Sequence, residues 1–143
     1  MKKKGELPMN HTFLIFGALF LLFVLQIIGC KMQITHYKKA VSKIHKLGNV
    51  GIGQKRGGIA FGHLVLVACG NDGIIRRVET MEGMTILARF KHKKEILGRT
   101  PEGVHIMDML EDFKSLDKKK QKRFKGYIQA LEALEMRLYP EHV

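Results

Sequence analysis

Leu64-Val65-Leu66-Val67-Ala68-Cys69-Gly70-Asn71-Asp72-Gly73-Ile74-Ile75-Arg76-Arg77-Val78-Glu79 sets two apolar, β-branched runs around a turn. Asn, Asp and Gly tolerate positive φ, so residues 70–73 reverse the chain. Residues 59–69 and 74–81 then read as the two strands of an antiparallel hairpin. Residues 84–90 hold a further apolar run, predicted as a third strand; the same letters would also serve a short helix over 82–87.

Before the hairpin lies Gly48-Asn49-Val50-Gly51-Ile52-Gly53-Gln54-Lys55-Arg56-Gly57-Gly58. It is not a P-loop, because no Gly-Lys-Ser/Thr is present. It is not a dinucleotide fingerprint, because no strand precedes it and no βαβ unit follows. Its glycines instead predict a strand with close backbone approach, followed by a turn. Gly48 also supplies the stop for a preceding helix.

That helix is a basic, amphipathic stalk over residues 31–47. Ile34, Tyr37, Val41, Ile44 and Leu47 recur at steps of three or four, and Lys38, Lys39, Lys43 and Lys46 take other faces. The stalk continues a membrane span over residues 13–30, in which Gln26 alone interrupts a run of apolar residues from Phe13 to Ile28. About 20 residues at 1.5 Å each cross a hydrocarbon core of about 30 Å. Residues 1–12 form a basic tail with Lys2, Lys3, Lys4 and Glu6. The acid-free set Lys31, Lys38, Lys39, Lys43 and Lys46 outweighs it, which places the carboxyl-terminal side in the cytoplasm. The expected location is a bacterial cytoplasmic membrane, crossed once. Ile27-Ile28-Gly29-Cys30 also resembles a lipobox, which leaves lipidation of Cys30 as an alternative.

After the hairpin, Lys91, His92, Lys93 and Lys94 make a basic patch, residues 97–103 a loop, and residues 104–113 a short helix. Asp117 caps a helix over residues 118–138. Phe124, Tyr127, Ile128, Leu131, Leu134 and Leu138 form its apolar stripe. Lys118, Lys119, Lys120, Lys122, Arg123 and Lys125 crowd its first turns, where positive charge opposes the helix dipole. Local stability does not explain them; a polyanionic partner would, and a solvated basic face is the alternative. The predicted fold is α+β: a single transmembrane helix, a stalk, a small antiparallel sheet over 48–113, and a basic carboxyl-terminal segment over 114–143.

Lys and Arg number 25 against 13 Asp and Glu, a formal charge of +12 in 143 residues. Such an excess favours promoter DNA or anionic lipid as partner. Two cysteines exclude a disulfide scaffold. The seven histidines have no metal spacing, and Ser42 and Ser115 sit in no nucleophile motif. Cys69, ending an apolar strand, reads as packed rather than reactive. No enzyme, metal or cofactor is expected. Residues predicted for phosphate contact are Lys55, Arg56, Arg76, Arg77, Lys118, Lys119, Lys120, Lys122, Arg123 and Lys125. Residues 104–113 and 118–138 are also weighed as a helix-turn-helix-like pair.

The order of features resembles the glucitol operon activator (GutM-type) family of small bacterial proteins. The matching residues are Gln33, Ile34, Tyr37 and Ala40, then Gly48, Val50, Gly51 and Gly53, then the strand over 64–68 with Arg77-Val78. They close with Gly83-Met84-Thr85-Ile86-Leu87-Ala88-Arg89. The resemblance covers about residues 13–109 and implies activation of an operon for glucitol (sorbitol) uptake by a phosphotransferase system. It carries over no catalytic residue. A membrane accessory or scaffold that holds transporter or regulator subunits, without touching DNA, is the alternative. Pairing of chains through a strand edge or the anchor helix is a further expectation.

Overall fold

The computed structural model describes residues 7–57, 62–83 and 88–142. The chain runs α1 (Leu7–His45), β1 (Asn49–Lys55), β2 (His63–Cys69), β3 (Ile75–Glu82), β4 (Lys91–His92), α2 (Ile106–Lys114), α3 (Lys118–Arg123) and α4 (Lys125–Leu138). A last 3-10 turn covers Pro140–His142. The strands form one antiparallel meander in the order β1-β2-β3-β4. The α+β architecture is the one read from the sequence.

The hairpin turns where the Asn-Asp-Gly signal places it. Gly73 N–H donates to Gly70 O at 3.0 Å, Gly73 has φ +76°, and Ile74 N–H donates to the Asp72 carboxylate at 3.1 Å. A register shift at Ala68/Cys69 lets the strands resume pairing around this turn. The fourth strand differs from expectation. Residues 84–87 of the expected third strand lie outside the described residues, residues 88–90 are irregular, and the pairing partner of β3 is the basic pair Lys91–His92. A short edge strand with charged side chains needs little apolar alternation, so periodicity does not reveal it.

Directly paired residues of a ladder point to the same face. Gly51, Val67 and Val78 form one row, and Gly53, Val65 and Thr80 the next. This face meets α2 and α4. Val65, Val67, Val78, Ile106, Met109, Leu110, Phe113, Tyr127, Ala130, Leu131 and Leu134 are buried in one cluster there. The two glycines are what let α4 come so close. A Cβ on Gly51 would run into the Ala130 carbonyl and sit 2.7 Å from Leu134 Cγ. A Cβ on Gly53 would run into the Gly126 carbonyl and sit 2.6 Å from Ala130 N. α4 is thus no separate appendage: its Tyr127, Ala130, Leu131 and Leu134 share the core of the sheet.

The expected single helix over 118–138 is two. Phe124, at φ −97° and ψ 19°, leaves helical geometry, and its ring packs 5.4 Å from Phe113 and 5.8 Å from Tyr127. Burying that ring in the core bends the chain between α3 and α4. The break moves Lys122 and Arg123 to the C-terminal turn of α3, where the helix dipole favours them. Asp117 caps α3 as expected, accepting from Lys120 N–H at 3.3 Å. His105 caps α2: its Nδ1 accepts from Met107 N–H at 3.2 Å, which leaves Nε2 protonated to donate to Tyr139 Oη at 3.2 Å.

The opposite face carries Val50, Ala68 and Arg77, then Ile52, Leu66, Glu79 and His92. The end of α1 lies on it. Ile44 is fully buried beside Val50, Leu66 and Ala68, with Val41, Leu47 and Phe90 around them. Tyr37 packs on Phe90 at 5.9 Å. The carboxyl-terminal part of the stripe, Val41, Ile44 and Leu47, is therefore spent on the sheet, while Ile34 and Tyr37 stay exposed. Gly48, at φ +137°, turns the chain into β1 against the Cys69 carbonyl.

At 1.5 Å per residue the 39 residues of α1 span about 58 Å, roughly twice a hydrocarbon core. Its early part exposes Phe13, Leu14, Phe16 and Phe20, each about 70% accessible, and no described residue covers them. It is long and apolar enough to cross a membrane and lies near the amino terminus.

Gly53→Ala should destabilise the domain by about 3 kcal/mol or more, at the upper end of overpacking costs, because backbone rather than a flexible side chain is in the way. Gly17→Ala, in open space on α1, should leave stability unchanged. Thermal unfolding of the detergent-solubilised chain checks both, and equal melting of the two variants would contradict the packing described.

Candidate functional site

One end of the sheet gathers charge from several elements. Lys55 ends β1 opposite His63, which starts β2, and His63 lies opposite Glu82 at the end of β3. Lys93 follows β4, Arg123 ends α3, and Tyr127 lies on the first turns of α4. Together they line a cleft of about 260 Å³. Three cations face one carboxylate, and the Lys93 Nζ to Glu82 Oε1 distance of 3.9 Å is only a loose pair. An apolar cleft of about 400 Å³, lined by Gln54, Leu64 and Met81, adjoins it and shares Lys55 and His63.

His63 is held between Gly126 and Tyr127. Its ring centroid is 5.5 Å from that of Tyr127, and a Cβ on Gly126 would sit 2.6 Å from Nε2. This Nε2 is shut off from solvent and has no hydrogen-bond partner among the described residues. A buried polar atom without a partner costs about 1–3 kcal/mol and calls for an explanation. Burial, aided by Lys55 and Lys93, pulls the His63 pKa below its ordinary 6.5, against an opposing pull from Glu82. Burial and Glu82 push the Tyr127 hydroxyl up to about 12, against a hydrogen bond with Thr80. At neutral pH both rings are uncharged, inside a ring of fixed positive charge.

The sequence-predicted cations divide among three places. Lys55 and Arg123 meet at the cleft, with Arg56 exposed beside Lys55. Lys118, Lys119, Lys120, Lys122 and Lys125 stand exposed on α3 and the start of α4, and none of them forms an ion pair among the described residues. Arg76 and Arg77 lie apart. Arg77 is five residues from Glu82 along β3, about 17 Å at 3.4 Å per residue. It is also neutralised by the buried Glu79, with Nε to Oε1 at 2.7 Å. Arg76 reaches back to the Leu47 carbonyl at 3.5 Å.

The glycine-signature residues have structural duties: Gly48 at the turn, Val50 in the core under α1, and Gly51 and Gly53 under α4. Gly83, at φ +88°, ends β3, and its N–H donates to Gly62 O at 3.1 Å. Ala88 and Arg89 border a cleft with Thr80, His92 and Lys93. Residues 84–87 of that motif lie outside the described residues.

The weighed helix-turn-helix geometry is not what these helices adopt: α4 lays its apolar stripe on β1 beside α2, so only the short α3 presents a cationic surface. The sequence reading missed His63, Lys93 and Tyr127. Only the strand register brings His63 to Glu82, and only the break at Phe124 brings Arg123 and Tyr127 over them. Cys69 is buried, which pushes its thiol up and fits the packed role. Among the described residues no group of His, Cys, Asp or Glu is placed to hold a metal ion.

Because the folded His63 pKa lies below 6.5, the unfolded chain binds more protons in that window, so stability falls as pH falls. The contribution is complete above pH 6.5 and is lost on acidification through the folded value. His63→Gln should flatten the fall in melting temperature between pH 7.5 and 5.5 relative to the parent. An unchanged slope would place His63 outside the buried, neutral state described.

Comparison with known proteins places this geometry in a lineage. No curated protein matches the chain, and no solved structure does. One family model matches residues 14–124, described as glucitol operon activator protein (GutM). The match takes in most of α1, the whole sheet, α2 and α3, and it stops at Phe124, where α4 begins. Covering that much of its length, it shows that the chain belongs to the glucitol operon activator (GutM) family.

Proposed function

We propose that this chain is a membrane-anchored activator of a glucitol (sorbitol) phosphotransferase operon, held by α1 with its domain in the cytoplasm, and that it contacts promoter DNA through α3. The family supports the operon role. The exposed apolar length of α1 supports the anchor, since backbone in lipid must be satisfied within a helix. The lysines that follow the span support the orientation.

The observation that carries the DNA contact is the block Lys118, Lys119, Lys120 and Lys122 on one exposed helix, without an ion pair among the described residues. Exposed lysines without acid partners are suited to displacing counterions from phosphate. A helix of this length fixes register on a backbone rather than reading a groove, so the expected binding is sequence-weak. Sequence choice would come from a partner on the same promoter.

The full chain in phosphatidylcholine nanodiscs should bind promoter DNA with an affinity that falls steeply with salt. Replacing Lys118, Lys119 and Lys120 by Gln should weaken binding at least tenfold at low salt. It should also lower the slope of log affinity against log salt by about 0.9 for each phosphate that is no longer neutralised. Fluorescence anisotropy measures both. No binding at low salt, together with recovery of transporter subunits from solubilised membranes, would replace this reading with the scaffold alternative. A reporter fused after Val143 should be active on the cytoplasmic side only, and activity on the far side would end any gene-control role.

A further inference from the structure

We infer that the cleft among Lys55, His63, Lys93, Arg123 and Tyr127 is a binding site for a phosphomonoester, a ligand that the DNA reading neither needs nor supplies.

The chemistry is set by the groups that converge. Lys55, Lys93 and Arg123 come from three different elements yet line one cleft with a single carboxylate, Glu82. Like charges brought together around a concave, partly desolvated space repel one another, and a dianion removes that repulsion. The guanidinium of Arg123 offers a planar fork for two oxygens, and the lysines act as point charges.

His63 adds the second observation. Its buried Nε2 has no partner among the described residues. That nitrogen is packed against Gly126, so a dianion seated in the cleft acts on the ring through its charge, favouring the imidazolium, rather than as a direct acceptor. The DNA duplex is a poor occupant. The inner wall is made by His63 between Gly126 and Tyr127, beneath the start of α4, and a phosphodiester backbone does not enter such a recess as a terminal phosphate does. An apolar cleft that shares Lys55, Gly62, His63 and Gly83 but takes Leu64 and Met81 from the other face of the sheet lies around the sheet's end, where the body that carries the phosphate would extend. That body is a soluble polyol or a lipid, because a phosphorylated sugar alcohol and phosphatidic acid share the same terminal group.

The test uses the full chain in phosphatidylcholine nanodiscs with isotope-labelled histidine. Inorganic phosphate at millimolar concentration should shift the His63 imidazole resonances saturably and move the His63 titration midpoint upward. Uncharged glucitol should do neither. Lys93→Gln with Arg123→Gln should weaken the response at least tenfold, and Lys93→Arg with Arg123→Lys should restore most of it, which separates loss of charge from loss of fold. Glucitol 6-phosphate binding more tightly than inorganic phosphate assigns a soluble ligand. A His63 shift on replacing part of the phosphatidylcholine with phosphatidic acid, without added phosphate, assigns the lipid. No His63 response at about 20 mM phosphate, a response unchanged in the glutamine variant, or a response given by promoter DNA alone would overturn the inference. Lys93→Gln alone, which leaves every residue of α3 untouched, should weaken the phosphate response without changing DNA binding, so the two readings fail separately.

Discussion

The contact between the backbone of β1 and the backbone of α4 is the constraint from which the domain follows. Gly51 and Gly53 leave the middle of the inner face of β1 without a side chain, so the carbonyls of Gly126 and Ala130 settle directly on it. Close approach brings Leu131 and Leu134 over Val65 and Val67, and it draws the aromatic trio Phe113, Phe124 and Tyr127 together. The same seating ends α3 at Arg123 and swings that side chain over the end of the sheet. Packing and electrostatics are therefore coupled: the seam that closes the core also assembles the cationic cleft.

The other face of the sheet answers a different demand. A long helix leaving the domain needs a fixed point, and Ile44, buried under Val41, Leu47 and Phe90, supplies it. Helix and sheet are joined through Gly48 with almost no loop. The apolar part of α1 and the globular domain are thereby mechanically continuous. The face beyond the footprint of α1 is closed by polar pairs, Arg77 with Glu79 and His92 with Glu102, rather than by apolar cover.

Much of this architecture is legible in the order of residues alone. The Asn-Asp-Gly turn dictates the hairpin: Gly73 takes the positive φ, and the Asp72 carboxylate accepts from Ile74 N–H. The apolar run of α1 and the three-four spacing of Val41, Ile44 and Leu47 dictate a helix with one seated face. The glycines of β1 announce close approach but not the partner, because the sequence does not say which distant helix will arrive. The break at Phe124 is hidden for a related reason: its stripe fits one continuous helix, and only the competing attraction of the aromatic cluster divides it. His63 and Lys93 are invisible as site residues because register and topology, not spacing, bring them together.

Hydrogen–deuterium exchange on the full chain tests the seam most directly. If β1 and α4 are one unit, the amides of Gly51–Gly53 and those of residues 128–134 open together and share one protection level, near that of the hairpin strands. If α4 exchanges orders of magnitude faster than β1 while the hairpin stays protected, the helix is not seated on the glycines and the cleft it builds does not persist.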